Sequence, residues 1–296
     1  MRKGPYDPAV TARKEKNAEI FSETIAAIND SFYTAPSGKL VNLPPLRPML
    51  EGAECWHREQ PVVDAPEVVG GTEIVVENND CIEAAKRLVA RGYNPVMLNF
   101  ASGGHPGGGV ENGARAQEET LCRRSTLARS IYTFDEEYAR NYHYTHRKGN
   151  NYPLENLNFS AIYSPYVTFF REGLDCTFME EPFQCAVVTC AALNLNGRYS
   201  LKLTRDGNMP PQAKSITANK IRTIFRLALR HYHNALVLGA FGCGAFRNPP
   251  EEMASIFKSV LNEDEFRNKF LLVTFAIIED HNSRNVNLRA FRKVFE

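Results

Sequence analysis

Gln117, Glu118 and Glu119 stand just after a glycine-dense run that holds Gly103, Gly104, Gly107, Gly108 and Gly109. A carboxyl beside a glycosidic bond can protonate the leaving oxygen and then activate water. Glycine lets a backbone approach a ligand closely and present its N–H groups. A helix N-terminus adds a positive dipole end that favours anions. Two carboxylates beside such a phosphate-friendly loop make chemical sense if they act on a phosphate-bearing substrate. Helical neighbours point about 100° apart, so the two glutamates cannot play the same part. Taken alone, the glycines also fit a tight strand-to-helix connection, and the glutamates fit a solvated first turn. The nucleotide fingerprints fail here: there is no Gly-Lys-Ser/Thr ending, and the glycines lack the spaced dinucleotide pattern.

A second loop changes that balance. Leu236-Val237-Leu238-Gly239-Ala240-Phe241-Gly242-Cys243-Gly244-Ala245-Phe246 reads as a buried strand running straight into another glycine turn. Ligands of open α/β sheets sit beyond the carboxyl ends of strands. Two glycine loops at two such ends can cradle a diphosphate from both sides. Phe246 then packs on a ribose or base, unless it is simply a core aromatic.

The elements that must position these loops follow from pattern. Arg13 to Ser31 reads as helical, and Phe32 to Leu46 as extended with a turn at Ser37-Gly38. Prolines punctuate the stretch up to Gly70-Gly71. Strands are expected at Thr72–Val76, Val96–Phe100, Ala161–Tyr163, Ala186–Cys190, Ala235–Ala240 and Leu272–Ile278. Asp80 reads as the N-cap of a helix through Arg91, with Gly92 as its stop. Further helices are expected at Thr217–His231, Glu251–Leu261 and Val286–Phe295. Apolar strands alternating with helices predict an α/β layered domain with much of the sheet parallel. Two segments read as irregular, Asp135–Asn158 and Asp206–Lys214. The chain divides into an N-terminal helical extension and linker, residues 1–70, and a main domain, residues 71–296.

Composition narrows the function. The formal net charge of the 296 residues is +1, which excludes a broad electrostatic footprint for nucleic acid. A polyanionic substrate stays compatible if backbone amides hold it. The seven cysteines are odd in number and form no Cys-x-x-Cys pair, which fits buried thiols in a reducing, intracellular compartment. No apolar stretch reaches membrane-spanning length.

Gly107-Gly108-Gly109, seven intervening residues, then Gln117-Glu118-Glu119 resembles the signature of poly(ADP-ribose) glycohydrolases. The resemblance is to the compact bacterial-type branch of that family, built on a macrodomain. It extends over Leu98–Ser102, Glu119–Ser125, Tyr163-Ser164-Pro165, Phe170-Arg171, Gly239–Phe246 and Asn248-Pro249, and over most of residues 13–296. It implies a macrodomain-like three-layer α/β/α sandwich with a mixed sheet. Glu119 would be the general acid/base and Glu118 the residue that orients ribose hydroxyls. Gln117 and Gly107–Gly109 would line the ribose and diphosphate, and Asn99 would support the ribose end. Gly242, Cys243, Gly244 and Ala245 would bind diphosphate, with Phe246 against the distal ribose. No metal or cofactor is implied. The partners would be poly(ADP-ribose) or ADP-ribosylated proteins, with ADP-ribose as product, and the protein would be a monomer that works from chain ends. A mono-ADP-ribosyl hydrolase and a non-hydrolysing ADP-ribose reader are the alternatives. Glu111-Asn112, Arg115 and the Asp135–Asn158 insertion depart from the family pattern, which bears on substrate preference more than on catalysis.

Other residues invite chemistry without completing it. His143 with His146, and His231 with His233, lack a third metal ligand. Cys243 has a nucleophile's side chain in a loop better suited to diphosphate. Arg222, Arg226 and Arg230 recur at four-residue spacing and read as a solvated helix face.

Overall fold

The computed structural model describes residues 7–149, 152–154, 158–196, 201–278 and 286–296. The chain begins with helix α1 (Pro8–Asp30), whose N-cap Asp7 accepts a hydrogen bond from the Ala9 N–H at 2.9 Å. A hairpin of β1 (Phe32–Thr34) and β2 (Leu40–Asn42) turns at Gly38, where φ is +85°. Helix α2 (Arg47–Gly52) leads into β3 (Glu54–Trp56), which joins the edge of the main sheet. Then come β4 (Glu73–Glu77), α3 (Cys81–Ala90) and β5 (Pro95–Phe100). Asp80 caps α3 by accepting from the Ile82 N–H at 2.7 Å. A loop carrying the 3-10 turn Val110–Asn112 connects β5 to α4 (Gln117–Arg124), followed by α5 (Leu127–Ile131) and α6 (Glu136–Asn141). The long hairpin β6 (Ala161–Glu172) and β7 (Thr177–Cys190) precedes α7 (Pro211–Arg230), β8 (Ala235–Leu238), α8 (Pro250–Leu261), β9 (Leu272–Ala276) and α9 (Val286–Phe295).

The seven-stranded sheet has the order β3-β6-β7-β5-β8-β9-β4. Strands β7, β5, β8, β9 and β4 run parallel, whereas β6 is antiparallel to β7 and β3 to β6. It is therefore a mixed sheet in three layers. Val96 and Leu98 of β5 enter the core shared with α7, α8 and α9. Met97 enters the opposite core, with Ile82, Leu121 and Leu127. This period-two alternation turns Asn99 toward α4 and Phe100 toward the α7 side.

Residues 57–72 form a strap from β3 at one sheet edge to β4 at the other. Along it, the Arg226 guanidinium on α7 donates to the Gln60 carbonyl at 3.0 Å. Further on, the Lys269 ammonium donates to the Ala65 carbonyl at 2.6 Å, and the Val68 N–H donates to the Asn268 carbonyl at 2.7 Å.

Three readings of the sequence need correction. The Asp135–Asn158 stretch is not irregular throughout. Asp135 caps α6, accepting from Glu137 and Tyr138 N–H groups, while residues 150–151 and 155–157 lie outside the described residues. Asp206–Lys214 is cut short by α7, which begins at Pro211, where a missing N–H costs a helix nothing. Arg226 is buried, not solvated, and forms a two-bond fork with Glu265 at 2.7 and 2.8 Å.

Candidate active site

Strands β5 and β8 lie side by side and parallel, so the loops that follow them leave from the same, carboxyl end of the sheet. The contact between them is close. A Cβ on Gly239 would lie 2.9 Å from the Phe100 ring and 2.8 Å from the Ala276 carbonyl oxygen.

The first loop grips the two glutamates. Glu118 is buried, and its Oε2 accepts from the Ser102 N–H at 2.6 Å. Its Oε1 accepts from the Gly107 N–H at 3.2 Å and the Asn99 amide at 3.3 Å. Burial pushes the Glu118 carboxyl up to about 8, against the opposing pull of the Ser102 and Asn99 donors. Glu119 points elsewhere. Its Oε1 accepts from the Gly109 N–H at 3.0 Å and its Oε2 from the Ala116 N–H at 2.8 Å. Hydrogen bonds to a charged group contribute about 1.5–3 kcal/mol each, so the carboxylate has one strongly preferred seat. Positive φ values at Gly107 (+77°) and Gly108 (+58°) bring the chain close enough. A Cβ at Gly108 would fall 2.5 Å from Glu119 Oε1 and 3.2 Å from Glu118 Oε2, so both carboxylates converge on that one glycine.

Supporting residues complete this half. Asn99 donates also to Thr189 Oγ1 at 3.2 Å, and β5–β7 pairing sets the two residues opposite each other. Gln117 turns its carboxamide to the strand, accepting from the Phe100 N–H at 2.8 Å and donating to the Leu98 carbonyl at 2.7 Å. Tyr132 lies beneath Gly107, and its ring is 4.8 Å from both Tyr138 and Tyr142. The Tyr142 hydroxyl donates to Glu111, so the 135–149 segment packs directly on the glycine loop.

The second loop is built differently. Asn248 donates to the Leu193 carbonyl at 2.8 Å and the Gly242 carbonyl at 3.0 Å, which closes the loop base. Gly242 has φ +71°, and a Cβ there would sit 2.5 Å from the Asn248 amide nitrogen. The N–H groups of Gly244, Ala245 and Phe246 make no hydrogen bond within the described residues, and Gly244 and Ala245 are exposed. Successive free N–H groups in a turn form an anion-binding concavity. Phe246 is half-buried, and its carbonyl accepts from the Leu195 N–H at 2.9 Å. The Cys243 thiol is pushed well up by burial, which removes its thiolate.

Thr189 has no local pattern that marks it in the sequence, because it acts through a partner that the sheet brings, while Ser102 and Asn248 lie in segments of the resemblance that assign them no role. His231 and His233 are structural. His233 bonds the Tyr163 hydroxyl at 2.9 Å and the Asn94 carbonyl at 3.1 Å, and His231 bonds Glu54 at 2.7 Å. Among the described residues no cluster of metal-ligating side chains occurs, and no helix is long and apolar enough to cross a membrane.

Residues 22–172 match the family model of the microbial-type PARG catalytic domain. No curated protein matches. The crystal structure of poly(ADP-ribose) glycohydrolase from Thermomonospora curvata is 30% identical, with a TM-score of 0.81, and the alignment covers 95% of this chain and 100% of that one. The same enzyme bound to the inhibitor ADP-HPD gives 0.76 at 30% identity, over 94% and 99% of the two chains. The poly(ADP-ribose) glycohydrolase of Deinococcus radiodurans in complex with ADP-ribose gives 0.66 at 30% identity, over 86% and 98%.

Proposed function

The chain belongs to the microbial-type poly(ADP-ribose) glycohydrolases, and on that premise we propose how its residues cut the polymer. The enzyme is a glycoside hydrolase with a macrodomain-like fold that breaks ribose–ribose O-glycosidic bonds and releases ADP-ribose. Glu119 protonates the leaving ribose oxygen as the C–O bond breaks and an oxocarbenium-like centre develops. The resulting carboxylate then takes a proton from the water that captures that centre, which restores the acid. Glu118 holds ribose hydroxyls, and Asn99 and Gln117 fix the glutamate-bearing segment against β5. The Gly107–Gly109 backbone lines the ribose side.

The diphosphate sits on the N–H groups of the Gly242–Phe246 turn, with Phe246 against the distal ribose. The observation that carries this reading is the pairing of a seated carboxylate with a turn of free amides at the carboxyl end of the sheet. Cleavage proceeds from chain ends, residues 71–296 carry every group that touches substrate, and ADP-ribose binds as product. The test is to incubate the protein with purified poly(ADP-ribose) and, separately, with mono-ADP-ribosylated protein. Release of ADP-ribose from the polymer is expected. Release from the mono-modified protein alone would overturn the substrate assignment.

A further inference from the structure

Glu119 is held from two ends of one turn. Gly109 supplies a donor before the turn and Ala116 a donor after it. The turn itself is closed by the Gly109 carbonyl, which accepts from the Asn112 and Ala114 N–H groups at 3.1 Å each. The Glu119 bonds tie the turn to α4 only through the carboxylate itself, so a shift of either end would unseat it.

Further contacts that hold the turn come from the N-terminal extension. Asn17 of α1 donates from Nδ2 to the Gly113 carbonyl at 3.1 Å. Gly113 has φ +69°, and a Cβ there would lie 1.9 Å from the Lys14 carbonyl oxygen, so the two backbones touch. About two turns further along α1, the buried Thr24 hydroxyl donates to the Arg123 carbonyl at 2.7 Å, at the last turn of α4. Arg123 closes the third side by donating from Nη1 to the Ala114 carbonyl at 2.7 Å. Helix α1 thus bonds both to the turn that seats Glu119 and to the helix that carries it.

We propose that α1 is a positioning element of the catalytic centre, with Asn17 and Thr24 as positioning residues that set the turn 109–116 against α4. Neither side chain touches Glu119, and each acts through the backbone that does. This role rests on the glycohydrolase assignment above. It assigns the extension a part in turnover and none in holding ADP-ribose, because its contacts fall on the carboxylate side and not on the Gly242–Phe246 turn.

The test uses the full chain with four measurements: kcat and KM for ADP-ribose release from the polymer, the Kd for ADP-ribose, and the melting temperature. Asn17→Ala and Thr24→Val each remove one donor. Each is expected to lower kcat about tenfold, as small misplacements of catalytic groups do, with KM and the ADP-ribose Kd near wild type. Thr24→Ser keeps the hydroxyl and is expected to recover most of the kcat lost in Thr24→Val. Wild-type kcat in both Asn17→Ala and Thr24→Val overturns the proposal. So does a Thr24→Ser variant as impaired as Thr24→Val, since the loss would then follow packing and not the hydrogen bond. A wild-type protein that releases no ADP-ribose overturns the glycohydrolase assignment and this role with it. An active wild type with indifferent variants overturns this role alone.

Discussion

The Gly109 N–H donates to Glu119 Oε1 at 3.0 Å, inside a loop whose glycines point to phosphate binding when read as sequence. Gly107 does the same for Glu118 at 3.2 Å. The first glycine loop thus directs the Gly107 and Gly109 amides to carboxylates, whereas in the second loop the successive amides of Gly244, Ala245 and Phe246 make no hydrogen bond among the described residues. On the proposed reading the two loops divide general acid/base chemistry from anion binding, and their adjacency follows from the parallel pairing of β5 with β8.

Replacing Glu119 with Gln keeps the size of the side chain and removes its proton chemistry. Release of ADP-ribose from the polymer is expected to disappear while calorimetry still detects ADP-ribose binding. Normal turnover by this variant would sink the assignment of Glu119.

Gly108→Ala is expected to be mild for the fold and severe for catalysis. The left-handed conformation costs a non-glycine residue about 1–2 kcal/mol. The new Cβ would meet the far end of Glu119, which can swing away, at 2.5 Å. Displacing that carboxylate is expected to cost on the order of 100-fold in kcat, with a fall of only a few degrees in melting temperature. Steady-state kinetics beside a thermal melt separates the two effects, and an unchanged kcat would remove Gly108 from the account.

Phe246→Ala tests the second loop. Loss of sugar positioning is expected to remove about 1–3 kcal/mol of transition-state stabilisation, read as a lowered kcat/KM. Unchanged kinetics would take Phe246 out of the site.

A fourth prediction concerns acid stability. Burial holds the His233 imidazole down at about 4, below its ordinary 6.5. Its two partners suit the neutral ring, with one nitrogen donating to the Asn94 carbonyl and the other facing the Tyr163 hydroxyl. The unfolded chain takes up a proton first, so the contribution of the neutral ring is complete above about 6.5 and is lost as pH falls toward 4. The whole loss is on the order of 3 kcal/mol. Urea midpoints measured from pH 7.5 down to 4.5 should fall more steeply for wild type than for His233→Gln, and parallel slopes would rule the histidine out.

Much of the fold and site is legible in the sequence, for physical reasons that differ from place to place. Asp80, Gly92 and the apolar run at Val96–Phe100 carry short-range rules for caps, stops and buried strands, and the structure follows them. The hairpin β6–β7 was visible only at one end of each strand, because Pro165 within β6 reads as a breaker. It sits where the register shifts between Ser164 and Val167, and a missing N–H is tolerated at such a bulge. Arg226 looked solvated because its partners, Glu59 and Glu265, come from distant segments. The same limit hid Thr189, Asn17 and Thr24. Their part depends on which backbone atom a separate element brings within reach, and residue spacing carries no record of that.

The strap over residues 57–72 joins the outermost strands of the sheet, which lie roughly 29 Å apart across six inter-strand steps. It is pinned along the way at Gln60, Ala65 and Val68. The sheet is thus belted rather than open-ended. The strap therefore ties β3 to α7 and to the turn before β9, so the two loops between those edges are framed by contacts that the strand ladder does not supply.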